Sequence, residues 1–341
     1  MTFAIPQNHK FGCIALRTAG VDPDLKDSLE VSPGLWAVFG SPFGLDSVWK
    51  EWLGSIRSEL VSECNLALVA VAPSTTLEIL DGENQTLERR ATALFYALLL
   101  AQIFHHDAGL VVTGAMIGGR ENPLSIRSVS NLVPHYRPPG ALIESIGREN
   151  LLAAAPVVDG ILSTYVSGEE PSRLGRGFHA WMQGTQELYG ANRLHQFVRS
   201  LEALAKTNIG RSTSQFAHRC QLFAGNSSAV SELLLELYTL RGNVEHNGFM
   251  DAGLEKYPDS ERFDIGLERS FQAQVLASRT YSRIFSERNL RTAFSSDSLL
   301  DGFWKQPWAA QVAAWGVPVD LHAYAKQRFR RDLLKKRATH P

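Results

Sequence analysis

From Asn192 to Phe285, apolar residues recur in steps of three and four, a rhythm that restricts this part of the chain to amphipathic helices. The clearest instance is Ser228 to Gly248, SAVSELLLELYTLRGNVEHNG, where Val230, Leu233, Leu234, Leu237, Leu240 and Val244 form one stripe. Asn247-Gly248 supplies residue types that tolerate left-handed backbone, so this helix is expected to end within two residues of Asn247. Leu194, Phe197, Val198, Leu201, Leu204 and Ala205 give a second stripe, and Phe216, Cys220 and Phe223 a shorter third. Leu267, Phe271, Val275, Tyr281 and Phe285 give a fourth. Helices of this kind, joined by short polar loops, predict an antiparallel bundle.

Residues 1–80 read differently: FGCIAL, LWAVFG and LALVAVA are short apolar runs bounded by Gly and Pro, as strands are. LDSVWKEWLGSI between them reads as a short helix, and Asp81 to Asn84 opens a long one, ENQTLERRATALFYALLLAQIF. Leu110 to Met116 is expected as a strand, and Ala141 to Tyr165 as a second long helix, with Pro134, Pro138 and Pro139 breaking the chain between them. The fold class expected is α+β: a mixed domain over residues 1–180, a helical bundle over 190–290, and a helical extension over 291–341. That extension carries Trp304, Trp308 and Trp315 and then a basic helix.

A chain of 341 residues with 44% hydrophobic content can bury two cores. Its 34 Lys and Arg against 35 Asp and Glu leave a net charge of -1, so nucleic-acid binding requires a local patch and cannot come from the summed field. Cys13, Cys64 and Cys220 are widely separated and form no CxxC, which suggests neither a disulfide frame nor a zinc knot. MTFAIPQNHK lacks the basic start and apolar core of a signal peptide, and the longest apolar run, Ala93 to Phe104, is short of a membrane span. A cytoplasmic location without membrane attachment is the expectation.

Several constellations invite chemistry and fail on spacing. GAMIGGR, Gly114 to Arg120, lacks the GK[ST] ending of a phosphate-binding loop and the GxGxxG of a dinucleotide fold, and reads as a Gly-rich turn. His105-His106-Asp107 carries metal-ligating atoms, but neighbours on a helix point about 100° apart and no partner spacing supports them. No metal and no cofactor is expected. Glu144 with Glu149, or Glu169 with Glu170, read as solvated carboxylates. The run KQRFRRDLLKKR has seven Lys or Arg against one Asp. Leu321, Tyr324, Phe329 and Leu333 can dock it while Arg328, Arg330, Arg331, Lys335 and Lys336 face phosphates, the other reading being a solvated helix and tail.

Arg241 and His246 stand at the end of the motif helix, five residues apart, so they flank one edge of it about 140° apart. Both are favourable against the negative end of a helix dipole, and capping alone accounts for them in a purely structural helix. With RLHQFVRSLEALAK upstream and FAHRCQLFAG between, LYTLRGNVEHNG makes residues 193–285 resemble the HEPN superfamily, most closely the ApeA-like HEPN domain of bacterial defence proteins. The resemblance departs at Gly242, where the family usually has a polar residue, and Asn243 follows one position late.

What the resemblance implies is metal-independent cleavage of single-stranded RNA, in which Arg241 and His246 are catalytic and Glu202, Asn243 and Glu245 support them. His246 would transfer the proton of the 2′-hydroxyl, and Arg241 would hold the phosphate oxygens as charge develops. Glu202 has two readings: at the edge of its helix's apolar stripe, where it would want a cationic partner with Arg241 a candidate, or an ordinary exposed glutamate. The resemblance further implies a homodimer through the motif-bearing face, two copies of the motif forming one site, and a role as a defence or toxin effector with an antitoxin or defence partner. The alternatives are a non-catalytic domain binding nucleotide, RNA or a protein, and a purely structural helical dimer.

Overall fold

The computed structural model describes residues 3–101, 105–142, 144–164, 171–246, 250–331 and 334. Contacts divide the chain into two compact units, residues 1–134 with 143–162, and residues 135–142 with 163–341. The fold is α+β, with the strands in the first unit and a helical second unit.

The first unit is an antiparallel sheet of β1 (His9–Ala19), β2 (Leu29–Ser32), β3 (Leu35–Val38), β4 (Leu66–Pro73), β5 (His105–Met116) and β6 (Leu124–Asn131), in the order β2-β3-β4-β1-β5-β6. Strand β1 is buried from Lys10 to Leu16 and β4 from Leu66 to Val71, on successive residues, because both sheet faces are covered. Phe11, Cys13 and Ala15 alternate onto one face with Ala67, Val69 and Val71, where Leu53 and Val61 of α1 (Ser47–Ser62) pack. On the other face α2 (Gly82–Leu100) crosses β1 so closely that a Cβ at Gly12 would lie 2.5 Å from the backbone of Leu87. Only glycine fits there.

A hydrogen-bonded cluster fixes the start of α2. Asp81 caps the helix by accepting from the Glu83 amide at 2.9 Å, and the buried Lys10 ammonium donates to Asp81 at 2.7 Å and to Thr76 at 2.8 Å. These bonds to Lys10 and Thr76 pull the Asp81 carboxyl down to about 2.

Two expectations for this unit need correction. Ala141 to Tyr165 is not one helix: α3 runs Arg148–Thr164, because Ile146 is held in a parallel bridge to Val21 and Ala141 bridges Phe329. Tyr165 lies outside the described residues, as do Glu169 and Glu170. His105 and His106 lie at the start of β5 and not on a helix, so the 100° argument does not apply to them. The Gly114 to Arg120 segment finishes β5 and turns toward β6, and Glu149 is exposed at the start of α3.

In the second unit, α4 (Arg173–Gln186), α5 (Gly190–Ala205), α6 (Ser212–Ala224), α7 (Ser228–Glu245) and α8 (Asp259–Ser286) pack around a core made of the expected stripes. Every residue of the α5, α6 and α8 stripes is buried, and so are Val230, Leu233, Leu234, Leu237 and Leu240 of α7, while Val244 is partly exposed. Helix α4 approaches α5 through glycines. A Cβ at Gly177 would lie 2.7 Å from Ala203 Cβ, and one at Gly184 would lie 2.8 Å from the Phe197 ring. The buried Arg193 ties this core together, donating to the carbonyls of Tyr136 at 2.6 Å and Glu187 at 3.1 Å and to Gln274 at 2.7 Å. Burial, opposed by Glu187, lowers that guanidinium to about 10.

The C-terminal elements are α9 (Arg288–Phe294), α10 (Asp297–Lys305), α11 (Trp308–Trp315) and α12 (Leu321–Arg328). They dock through tryptophan: Trp304 donates to the Leu204 carbonyl at 3.0 Å, and the buried Trp315 lies 4.6 Å from the Phe223 ring. The basic helix ends at Arg328, earlier than the charge pattern suggests, because Phe329 is extended and bridges Ala141. Leu321 and Phe329 are buried as expected of the docking seam, and Leu333 lies outside the described residues. No helix among the described residues is long and apolar enough to cross a membrane.

Candidate functional site

Helix α7 starts at its Ser227 cap, whose hydroxyl accepts from the Val230 amide at 3.2 Å, and its last helical residue is Glu245. His246 is the C-cap, with its amide bonded to the Gly242 carbonyl at 3.2 Å, which ends the helix where the Asn-Gly pair predicts. Asn247 and Gly248 themselves lie outside the described residues.

The apolar stripe of α7 faces the core and so carries Arg241, one residue past Leu240, to the border of α5. There its Nη2 lies 3.1 Å from Glu202 Oε2, and its Nη1 lies 2.5 Å from Glu245 Oε2 one turn along. The guanidinium also sits 5.8 Å from the centroid of Tyr238, one turn back. Only 15% of the Arg241 side chain is exposed. Its Nε is buried and has no hydrogen-bond partner among the described residues.

Glu202 is the centre of this arrangement. Besides Arg241 it accepts from the Tyr238 hydroxyl at 2.9 Å and from Thr207 at 3.3 Å. Burial and the Glu202 bond raise the Tyr238 hydroxyl, which therefore stays protonated and donates. A charged carboxylate half-removed from water is stable when its lone pairs are filled in this way. The pairing of Glu202 with Arg241, one of the two readings of the sequence, is thus present.

The other candidates fall into distinct places. His246 is exposed at the cap, and its ring makes no hydrogen bond or ion pair among the described residues. It does not join Arg241, Glu202 and Glu245 within one chain. Asn243 turns away toward the single-turn helix at Met250–Gly253, where a Cβ on Gly253 would lie 3.0 Å from its Nδ2. Gly242 has open space at its Cβ position. In the basic tail Arg331 is neutralised by Glu268, whose carboxylate accepts from its Nε at 2.6 Å and from its Nη2, and Arg328 lies 5.8 Å over the Tyr324 ring. Arg330 is exposed, and its amide donates to Gly140. Lys335 and Lys336 lie outside the described residues.

Two residues of α5 that were not singled out as candidates lie within electrostatic reach of this cluster. His195 and Arg199 precede Glu202 by seven and three positions, so all three share one face of α5. His195 Nε2 is buried without a hydrogen-bond partner among the described residues. Burial first, then the charge of Arg241, hold His195 below its ordinary value, with Glu245 opposing and Arg199 adding to the effect. The one signal available in the sequence was this i, i+4, i+7 spacing of chemistry-bearing side chains. Arg173, Arg176 and His179 of α4 lie across a cleft from Arg199 and Glu202, a juxtaposition that only tertiary packing creates.

All three cysteines are buried free thiols, and burial raises each, Cys64 to about 12. None is a nucleophile at neutral pH. Among protein-family models, curated proteins and solved structures, none matches this chain.

Proposed function

We propose that the protein is a metal-independent endoribonuclease of HEPN type, cleaving single-stranded RNA with Arg241 and His246. The observation that carries the reading is the clamp on Arg241: a guanidinium at the end of α7 held by Glu202 of a second helix and by Glu245, beside an exposed imidazole at the same helix cap. Carboxylates that fix a guanidinium from two sides orient its fork for a phosphate. His246 takes the 2′-hydroxyl proton, the 2′-oxygen attacks the adjacent phosphorus, and the bond to the 5′-oxygen breaks. Water gives a proton to that 5′-oxygen as it leaves and His246 returns its own to solvent, so the products are a 2′,3′-cyclic phosphate and a 5′-hydroxyl. Because His246 makes no bond to the Arg241 cluster of its own chain among the described residues, a two-fold dimer through the end of α7 is the assembly we infer to bring a guanidinium and an imidazole to one phosphate.

A second reading has its own support. Both amino groups of Arg241 already face carboxylates, as expected of a binding or structural motif that no longer turns over. Arg241→Ala and His246→Ala separate the two readings when RNA cleavage and RNA binding are measured together. Loss of cleavage in both supports the nuclease. Loss of binding in Arg241→Ala, with no cleavage by the unaltered protein, supports the binding domain. Wild-type behaviour in both variants removes both readings.

A further inference from the structure

We propose that the cleft between α4 and α5 is a binding site for a small phosphate monoester, distinct from the motif at the end of α7. The cleft encloses about 650 Å³, within the range of pockets that hold small metabolites. Arg173 and Arg176 reach it from the first turn of α4, and Arg199 from the facing turn of α5. Among the described residues one of the three, Arg173, has an ion-pair partner, Asp297. Arg199 is exposed and makes no hydrogen bond or ion pair among the described residues. Among the described residues the Arg176 side chain donates to the Pro171 carbonyl, at 2.7 Å, and pairs with no carboxylate. Arg173 Nε lies 3.4 Å from Asp297 but is a buried donor without a hydrogen bond.

The carboxylate in the wall, Glu202, does not neutralise them, because its oxygens are already engaged by Arg241, Tyr238 and Thr207. Three arginines line one cleft, and a dianionic phosphate is the ligand whose charge complements theirs. The amino-terminal end of α4 adds its dipole in the same sense. His179 and Gln183, joined to each other at 3.2 Å, and the Thr207 hydroxyl line the remainder and suit the hydroxyls of a polyol such as a pentose. Gly177 keeps the floor low by letting α4 approach α5. A cleft of this size lined by three arginines fits a terminal phosphate, whose charge is concentrated, better than a through-running strand, whose phosphates are singly charged and spread along a track.

Titration calorimetry on the full chain tests this with inorganic phosphate, ribose 5-phosphate and AMP, and with ribose and adenosine as phosphate-free controls. Ribose 5-phosphate or AMP is expected to bind, more tightly than inorganic phosphate, and the controls are expected to be silent. Arg199→Ala and Arg176→Ala, both at exposed positions, should each weaken binding about tenfold or more, the worth of a charge-assisted bond to phosphate. Unchanged thermal melts exclude unfolding as the cause. His246→Ala should bind as the unaltered protein does, so the outcome is independent of RNA cleavage. Silence of all three phosphates at millimolar concentration would overturn the proposal, as would binding that both arginine variants retain. So would binding confined to a 5′-phosphorylated oligoribonucleotide, which would make the cleft an RNA-end site.

Discussion

At the scale of the residue, Arg241 is held by two carboxylates of unequal standing. Glu202 is 22% exposed, with every described partner aimed at it, whereas Glu245 is 43% exposed on the last turn of the helix. Glu245→Gln should therefore leave Arg241 in place and free one amino group for phosphate, lowering the KM for RNA by up to about fivefold, the worth of a partly exposed pair. Glu202→Ala should do the opposite, lowering kcat, because the guanidinium loses its anchor on α5. Steady-state cleavage rates of the two variants check the contrast. His195 reports on the same charge. Its folded value lies below the ordinary 6.5 because of burial and Arg241, so the stability it contributes is present above that value and declines as pH falls below it. In Arg241→Gln the cationic neighbour is gone and Glu202 and Glu245 are released, so the His195 resonance should titrate at higher pH by NMR. An unchanged or lower midpoint would show that burial alone sets it.

At the scale of the element, two glycines of the helical unit make opposite predictions. Gly177 is needed for the contact of α4 with α5, where an added methyl meets Ala203 and the Tyr281 hydroxyl, and Gly177→Ala should destabilise the protein by about 1–3 kcal/mol. Gly242 lies inside α7 with open space around it, and Gly242→Ala should stabilise by about 0.5–1 kcal/mol. Urea melts of both variants test the pair. The apolar stripes of α5 to α8 were legible from periodicity because one face of each helix meets one core. Other elements were not. Helix α4, RLGRGFHAWMQGTQ, carries three glycines that lower its helix propensity, and those at 177 and 184 exist for packing that no local pattern reveals. Strand β6, LSIRSVSN, is polar toward its end, and β2 has only four residues. The apolar stretch before α3 resembled helix, yet its backbone is committed to bridges with distant segments. The Glu202 and Arg241 pair was one of two readings open in the sequence, since periodicity puts Glu202 near the edge of a stripe without showing how much of it is buried. Arg173, Arg176 and His179 were invisible, since they meet α5 only after the chain has folded.

At the scale of the whole molecule, the proposed nuclease calls for two chains, because His246 makes no hydrogen bond or ion pair with the Arg241 cluster among the described residues. Light scattering coupled to size exclusion should give a dimer at micromolar concentration. Co-expression of Arg241→Ala with His246→Ala chains should yield mixed dimers with one of the two composite half-sites intact. A monomer at every concentration would remove the composite site. The most direct measurement is the chemistry of the cut itself. Purified protein is incubated in EDTA with a single-stranded RNA of mixed sequence and with the same strand carrying 2′-deoxyribose throughout, and the product ends are identified by mass. The account predicts 2′,3′-cyclic phosphate ends from the RNA, an intact deoxy strand, and a rate lower by about a hundredfold or more for His246→Ala. Cleavage that stops in EDTA, that leaves 3′-hydroxyl ends, or that His246→Ala carries out at the full rate would contradict it.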